Sequence, residues 1–423
     1  MKRVLLATTA LCMGAGTAFA QDAMMDMGPS ITLSGEAEMG VAASKDNSVR
    51  FHTDVNITFT ASGTTDTGVT FGTAIGLDDI ENAAGRDTTD DVDDHGGIAV
   101  HMSQPDGFGT LTLGDTDGGF DWAMDEVGSG GIRSDSEHAA WSGNAGLDGK
   151  HDGQVLRWDR AIGSGFSMGA SVELDDHGDN EDSYDPIIGL GGKFSMPMGA
   201  GSLALGGGFQ SGSFDHVIRA GDRVADPDKA GATVRPAIWR VGTGIGSKAT
   251  GGEVDGAMVG GSAKMDFGGD MGGLSVTLNA SMGEFDGSQT GTGTDPITMT
   301  ADVEQTHLGL GLGYKIGAVS LGVNVGSHVT ESMVDEDNAT DNNTTKLEET
   351  VTGVGFDVGY DLGGGATLMF GFGSSETETD YTYGSASSWT VTRPTGVTTG
   401  TRDNWHDGSI DTNQWSLGVQ FSF

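Results

Sequence analysis

Asn413-Gln414-Trp415-Ser416-Leu417-Gly418-Val419-Gln420-Phe421-Ser422-Phe423 closes the chain. Trp415, Leu417, Val419, Phe421 and Phe423 alternate with Ser416, Gly418, Gln420 and Ser422. Period two is the period of a strand with one apolar and one polar face. A soluble sheet seldom leaves such a strand at its end without a turn or cap. A closed barrel in an outer membrane accommodates it, because its wall alternates lipid-facing apolar residues with lumen-facing polar ones.

The amino-terminus fits export. Met1-Lys2-Arg3 is basic, Val4 to Ala15 is an apolar run too short to span a bilayer, and Ala18-Phe19-Ala20 is a small-residue cleavage site. We expect residues 1–20 to be a secretory signal and 21–423 to be the mature barrel. Cys12 is the one cysteine and leaves with the signal, so disulfide and thiolate chemistry are excluded. Glycine accounts for 74 of 423 residues, well above the usual share of roughly 7%. No later stretch is apolar enough for a helical span. A barrel wall needs apolar residues at half of its positions and no central core, so 36% hydrophobic residues suffice.

Charge excludes further classes. The chain carries 21 basic and 61 acidic residues, a formal net of −40, and loss of Lys2 and Arg3 takes it to −42. Such a chain repels nucleic acid and an anionic membrane surface. The acids cluster in Asp87–Asp94, Asp175–Asp185 and Asp335–Asp341, as solvated loops do. There is no GxSxG, HExxH or P-loop in strand–helix context, and ten scattered histidines lack zinc spacing, so no enzyme is expected.

Sixteen strands can be laid out as hairpins: 31–41 and 49–62, 69–77, 97–103 and 108–114, 155–161 and 166–174, 187–195 and 203–209, 258–267 and 274–282, 307–315 and 319–328, 350–361 and 367–374, and the last strand. Short Gly/Asp turns are expected to alternate strictly with long polar loops. An excursion from about Gln210 to Asp255 stands outside the pattern; Arg235–Ile245 within it is not counted as a strand. Leu308, Leu310, Leu312 and Tyr314 share a face opposite Gly309, Gly311 and Gly313. Asp357 should face water, since a carboxylate on the lipid face is costly. Tyr314, Tyr360 and Phe423 should sit in interfacial girdles.

Several segments carry a family resemblance. Ile31–Val41, Phe59–Gly72, Phe108–Asp115, Tyr360–Ala366 and Leu417–Phe423 resemble the trimeric general porins of purple photosynthetic bacteria and their relatives. The likeness is strong over Ile31–Gly128 and His307–Phe423; in the middle only the strand rhythm supports it. It implies an all-β transmembrane up-and-down barrel of sixteen antiparallel strands, a homotrimer, and passive diffusion of small hydrophilic solutes. It also implies that the loop after the fifth strand folds inward and sets the pore size.

That loop, Asp115 to about Asp152, carries Asp117, Asp121, Asp125 and Glu126, to which the resemblance assigns the acidic side of the constriction. A water-filled constriction with low-dielectric walls focuses the field of such groups. Strand alternation puts Arg50, His52, Asp54 and Asn56 on the wall of the second strand. Relatives carry arginines where Asp54 and Asn56 stand, so only Arg50, His52, His101 and Arg157 remain as basic wall candidates, and cation preference is expected. Asp115, Asp117 and Asp121 partly resemble a calcium loop that fails at Gly119 and Phe120. Calcium at these carboxylates, or bridging acidic outer loops to lipopolysaccharide, is an expectation. The acidic loop 78–96 is a candidate latch onto a neighbouring subunit. Two alternatives remain: a substrate-selective porin narrowed by the 210–255 excursion, and a secreted acidic calcium-binding β-protein, which predicts periodic Gly/Asp repeats that do not recur.

Overall fold

The outward faces of the strands decide the architecture. In the computed structural model, Leu308, Leu310 and Leu312 project outward from one strand, and Val354 and Phe356 do so from another; Leu308 is 50% exposed. Glycine, Ser, Asn and charged residues fill the alternate positions and point inside. Apolar side chains can face outward in such numbers only where lipid replaces water. The structure describes residues 29–45, 47–77, 97–140, 146–151, 154–174, 184–216, 252–268, 273–290, 298–337, 342–383, 388–393, 396–401 and 408–423. The signal segment, loop 78–96 and Arg235–Ile245 lie outside them.

The first strands are β1 (Ser30–Ser44), β2 (Asn47–Thr64), β3 (Thr70–Leu77), β4 (Ile98–Gln104) and β5 (Gly109–Gly114). A loop with a short helix, α1 (Gly119–Ala123), leads to β6 (Val155–Gly163), β7 (Phe166–Glu173), β8 (Ile187–Met198) and β9 (Gly201–His216). Then come β10 (Gly252–Phe267), β11 (Leu274–Thr290), β12 (Thr298–Ile316), β13 (Val319–Asp337), β14 (Asn342–Gly363) and β15 (Ala366–Tyr383). A separate ribbon of β16 (Ser388–Arg393) and β17 (Gly396–Thr401) precedes β18 (Gly408–Ser422). Each barrel strand pairs antiparallel with the next, and β18 closes the sheet on β1, with Gly40 opposite Gly418 and Glu36 opposite Ser422. Among the described residues this is a closed barrel of sixteen strands.

Turn chemistry holds the hairpins at one end. Gly107 N–H donates to the Gln104 carbonyl at 2.8 Å in the Gln-Pro-Asp-Gly turn. Gly363, Gly364 and Gly365 all have φ between +67° and +85°, a conformation that only glycine adopts without strain. Tyr314, Tyr360 and Phe423 lie at this end and are exposed on the outer face, as an interfacial girdle requires.

The structure corrects three expectations. First, the alternation of short turns with long loops is not strict. Three connections at the opposite end are short: 45–46 between β1 and β2, and 291–297 and 338–341, where β12, β13 and β14 run for 19, 19 and 22 residues. About 10 residues cross a bilayer, so these strands stand well proud of it. Their outer faces change accordingly from Leu and Val to Glu284, Glu304, Glu331, Glu348 and Asp380, which are successive cross-strand partners on β11–β15. Like charges directly opposite destabilise a sheet and are barred from hydrocarbon, so this exposed row marks where the bilayer ends.

Second, the 210–255 excursion is shorter than expected. Gln210–His216 belongs to β9 and Gly252–Asp255 to β10, because Phe214 and Val254 pair across the ladder and turn inward. Third, the barrel does contain an apolar core. Leu147, from the inward loop, is fully buried among Ile187, Phe214, Val254, Phe285 and Val303, all on inner wall positions. An outer-face substitution tests the wall: Leu310→Arg should destabilise the barrel by roughly 2–4 kcal/mol, read by denaturant unfolding in lipid vesicles.

Candidate functional site: the lumen and its inward loop

In the connection from β5 to β6, the described residues 115–140 and 146–151 fold into the barrel and lie against its inner wall. It can approach closely because the wall beneath it is glycine. A Cβ on Gly208 would stand 2.9 Å from the Phe120 Cα, and one on Gly311 would stand 2.6 Å from Val127. Gly191 and Gly206 lie under α1 against the Gly119 and Ala123 carbonyls. Farther along, Gly371 sits under Gly130 and Gly131, Gly355 under Ser136, and Gly326 and Gly353 under His138. The loop thus runs from β6 across β7–β15 to β18 and β1, then turns back above itself. The arc left over is β2–β5, whose inner face carries His52, Asp54, Asn56, Thr60, His101 and Thr112.

Hydrogen bonds from wall side chains hold the loop. Gly119 N–H donates to Ser171 Oγ at 2.7 Å, and Asp125 N–H to Ser262 Oγ at 2.7 Å. Asn324 Nδ2 donates to the Ser136 carbonyl at 3.3 Å. The returning leg is fixed by Gln210, whose Oε1 accepts from Leu147 N–H at 2.7 Å and whose amide donates to Asp148. Glu173 accepts from Gly149 N–H at 3.0 Å and His151 N–H at 2.9 Å.

The expected loop acids divide. Asp117 is half-buried beside Arg157: Arg157 Nη1 donates to the Asp117 carbonyl at 2.7 Å and lies 4.0 Å from its carboxylate. Burial still outweighs Arg157 and raises the Asp117 pKa. Burial, helped by Asp117, Glu126 and Asp148, raises Asp121 to about 8, against the pull of Lys193. Asp125 and Glu126 are half-buried on the loop edge beyond α1. Asp115 faces away and packs on Gly97, so the three carboxylates of the calcium expectation do not converge. Among the described residues, no group of three such ligands is placed to hold a metal.

On the wall, Arg157 is 5% exposed and also contacts Asp159 at 3.3 Å. His52 bonds Glu38 through Nε2 at 3.0 Å. Asp54 is buried, pairs with Glu38 in register, and accepts from Asn56 Nδ2 at 3.2 Å. His101 lies against Gly72 on the inner face of β4. Arg50 stands exposed near the end of β2, opposite Ala42 and beside the 45–46 connection. Asp357 faces inward, as expected, but with Gly130 packed on it.

Sequence reasoning missed four groups. Asp148 accepts from Gly118 N–H at 2.6 Å, and its burial lifts it to about 7 against that bond. Lys193 sits over the Trp122 ring at 4.4 Å, within electrostatic reach of Asp117, Asp121 and Asp125. Glu173 and Gln210 complete the loop base. Lys193 did carry a signal: it is a lone charge in the inner row Gly189, Gly191, Lys193, and ionisable groups at membrane depth are functional candidates by default.

The result is a lumen with acids on both sides. Glu36, Glu38 and Asp54 stand on β1 and β2; Asp117, Asp121, Asp125, Glu126 and Asp148 stand at the loop base. The cations among them, Arg157 and Lys193, are engaged with loop acids.

The Gram-negative porin family pattern matches residues 7–269, more than half of the chain. No curated protein matches in sequence. Among solved structures, a porin refined at 1.8 Å resembles this fold with a TM-score of 0.52 at 18% identity, covering 93% of this chain and 100% of that one. A loop-deletion variant of OmpT, an outer-membrane protein of Vibrio cholerae, gives 0.49 at 13% identity, over 93% and 99%. An anion-selective porin from Comamonas acidovorans gives 0.44 at 15% identity, over 94% and 100%.

The raised carboxyls predict a pH effect. A carboxyl lifted by burial favours its neutral form, so loop packing is most stable below the ordinary carboxylate range and weakens as pH climbs toward 7–8. Over the same rise Asp148 and then Asp121 gain charge. The cation-to-anion permeability ratio should increase between about pH 6 and about pH 9, and Asp121→Asn should flatten that increase, measured as reversal potential against pH.

Proposed function

The chain belongs to the Gram-negative porin family and is an outer-membrane β-barrel protein, and from that premise we propose that it is a general diffusion porin with cation preference. Small hydrophilic solutes and ions would cross passively through the water-filled gap between the inward loop and the β2–β5 arc. One observation carries the preference: carboxylates occupy both the loop base and the β1–β2 wall, while Arg157 contacts Asp117 and Asp159 and Lys193 lies within electrostatic reach of loop acids. An aqueous constriction with low-dielectric walls concentrates the counter-ion of its net charge, here cations.

The working unit in this reading is a homotrimer in contact with lipopolysaccharide and membrane lipid, with no nucleic-acid partner and no enzymatic step. Calcium would enter only at the acidic outer surface, bridging carboxylates to lipopolysaccharide phosphates. The test is a planar bilayer under a potassium chloride gradient. We expect insertion in three equal conductance steps and a zero-current potential of the sign set by potassium. A potential of chloride sign refutes the preference, and absence of conductance refutes the pore.

A further inference from the structure

The far end of the inward loop reaches the one place where the barrel is closed by its two chain ends, the seam between β1 and β18. Ile132 is completely buried there. Its Cδ1 lies 2.5 Å from where a Cβ on Gly40 would be and 2.6 Å from where one on Gly418 would be. Gly40 and Gly418 are direct register partners across the seam, so a single side chain fills a slot made half by the first strand and half by the last. The backbone on either side is bonded to both strands. Ser416 Oγ of β18 donates to the Ile132 carbonyl at 2.7 Å, and Glu38 Oε2 of β1 accepts from Arg133 N–H at 2.9 Å. Gln414 Nε2, also of β18, donates to the Glu137 carbonyl at 2.9 Å.

The tip also carries strain. Gly131, Arg133 and Ser134 have φ of 90°, 59° and 51°. Two of these are non-glycine residues in the left-handed region, a conformation that persists only where surrounding contacts over-determine it. The contacts that do so here are those to the seam.

We propose that the loop tip is a clasp across the β1–β18 seam, with Glu38 as its positioning residue, so that one contact both holds the barrel closed and fixes the inner edge of the pore. The second half of this statement rests on the porin reading above; the first does not. A loop anchored only at its base would leave residues 128–137 free to swing into the bore. Held at the seam, they line the wall. The clasp can form only after β18 has docked on β1, because Gly418 and Ser416 supply half of it. Glu38 stands at its centre: the same oxygen that takes Arg133 N–H also takes His52 Nε2–H, at 3.0 Å, so β2 braces the acceptor.

The experiment uses the full mature protein, with variants Glu38→Leu, Ile132→Ala, Ser416→Ala and Glu38→Gln, and Leu147→Ala as a loop substitution remote from the seam. Amide hydrogen exchange by mass spectrometry reads the seam directly. Glu38→Leu and Ile132→Ala should speed exchange several-fold in β1 and β18 peptides, with a smaller increase for Ser416→Ala. Leu147→Ala should speed it in β9–β11 peptides instead. In planar bilayers the first two variants should raise open-channel current noise several-fold and relax the exclusion of neutral polyethylene glycols. Glu38→Gln keeps an acceptor for Arg133 N–H, so it should restore quiet current and slow seam exchange while its reversal potential moves with the lost charge. Unchanged seam exchange in both Glu38→Leu and Ile132→Ala overturns the clasp. So does equal noise and equal seam exchange in Leu147→Ala. A wild-type protein that carries no current would sink the pore reading alone, and the exchange data would still decide the clasp.

Discussion

Direct contact between loop backbone and barrel wall is the constraint on which the rest of this structure depends. An inward loop that crosses most of the barrel circumference needs room, and room inside a sixteen-strand barrel comes from side chains that are not there. Gly191, Gly206, Gly208, Gly311, Gly355 and Gly371 supply it, each meeting loop backbone or a loop side chain at a distance no Cβ could tolerate. Glycine in a strand ordinarily costs stability through backbone entropy and lost packing. Here the cost is offset by what the loop buries: Phe120, Ile132 and Leu147 are fully inside. The inner-wall glycines beneath residues 119–138 are thus a record of one loop path.

This also explains which parts of the molecule were legible in advance. Strands with a wet face and a lipid face announce themselves through period two, and all sixteen emerged, because that pattern is local. The row Gly309, Gly311, Gly313 was visible opposite its leucines, but its meaning was not. The contact that gives it meaning, with Val127, lies far away in sequence. Glycine pairs recur so often in this chain that none singles itself out. The apolar cluster around Leu147 was hidden for a related reason: Phe214 and Val254 lie at strand ends where the alternation blurs into presumed loop, so they were assigned to an excursion.

Site residues show the same division. Asp117, Asp121, Asp125 and Glu126 could be singled out because a run of acids in the loop after the fifth strand is conspicuous. Asp148 and Glu173 were not, since each becomes distinctive only when the returning leg brings backbone N–H groups to it. Arg50 was assigned to the wall by parity alone, and parity places a side chain on a face without giving its height. Height separates a group near the rim from one in the constriction. Glu38 escaped notice although it lies on a strand that was identified correctly, because its importance comes from the loop tip and not from its neighbours in the chain.

The large negative charge finds its explanation in the same geometry. Acids on the lipid-facing band would be intolerable, and acids over most of the inner wall would meet a loop backbone instead of water. Among the described residues, two regions carry them: the skirt where β10–β15 rise beyond the bilayer, and the rim and floor of the gap opposite the loop. The skirt row from Glu284 to Asp380 is held in water, where screening keeps like-charge repulsion between neighbours small. Acids of the gap lie in a narrower, less screened space, and there part of the charge is suppressed by protonation, at Asp121 and Asp148, or matched by Arg157 and Lys193. In the proposed reading, the surplus that survives is what a permeating ion would meet. In the cation-preferring reading proposed above, selectivity would follow from where the loop lies, because the loop path decides which acids stay wet.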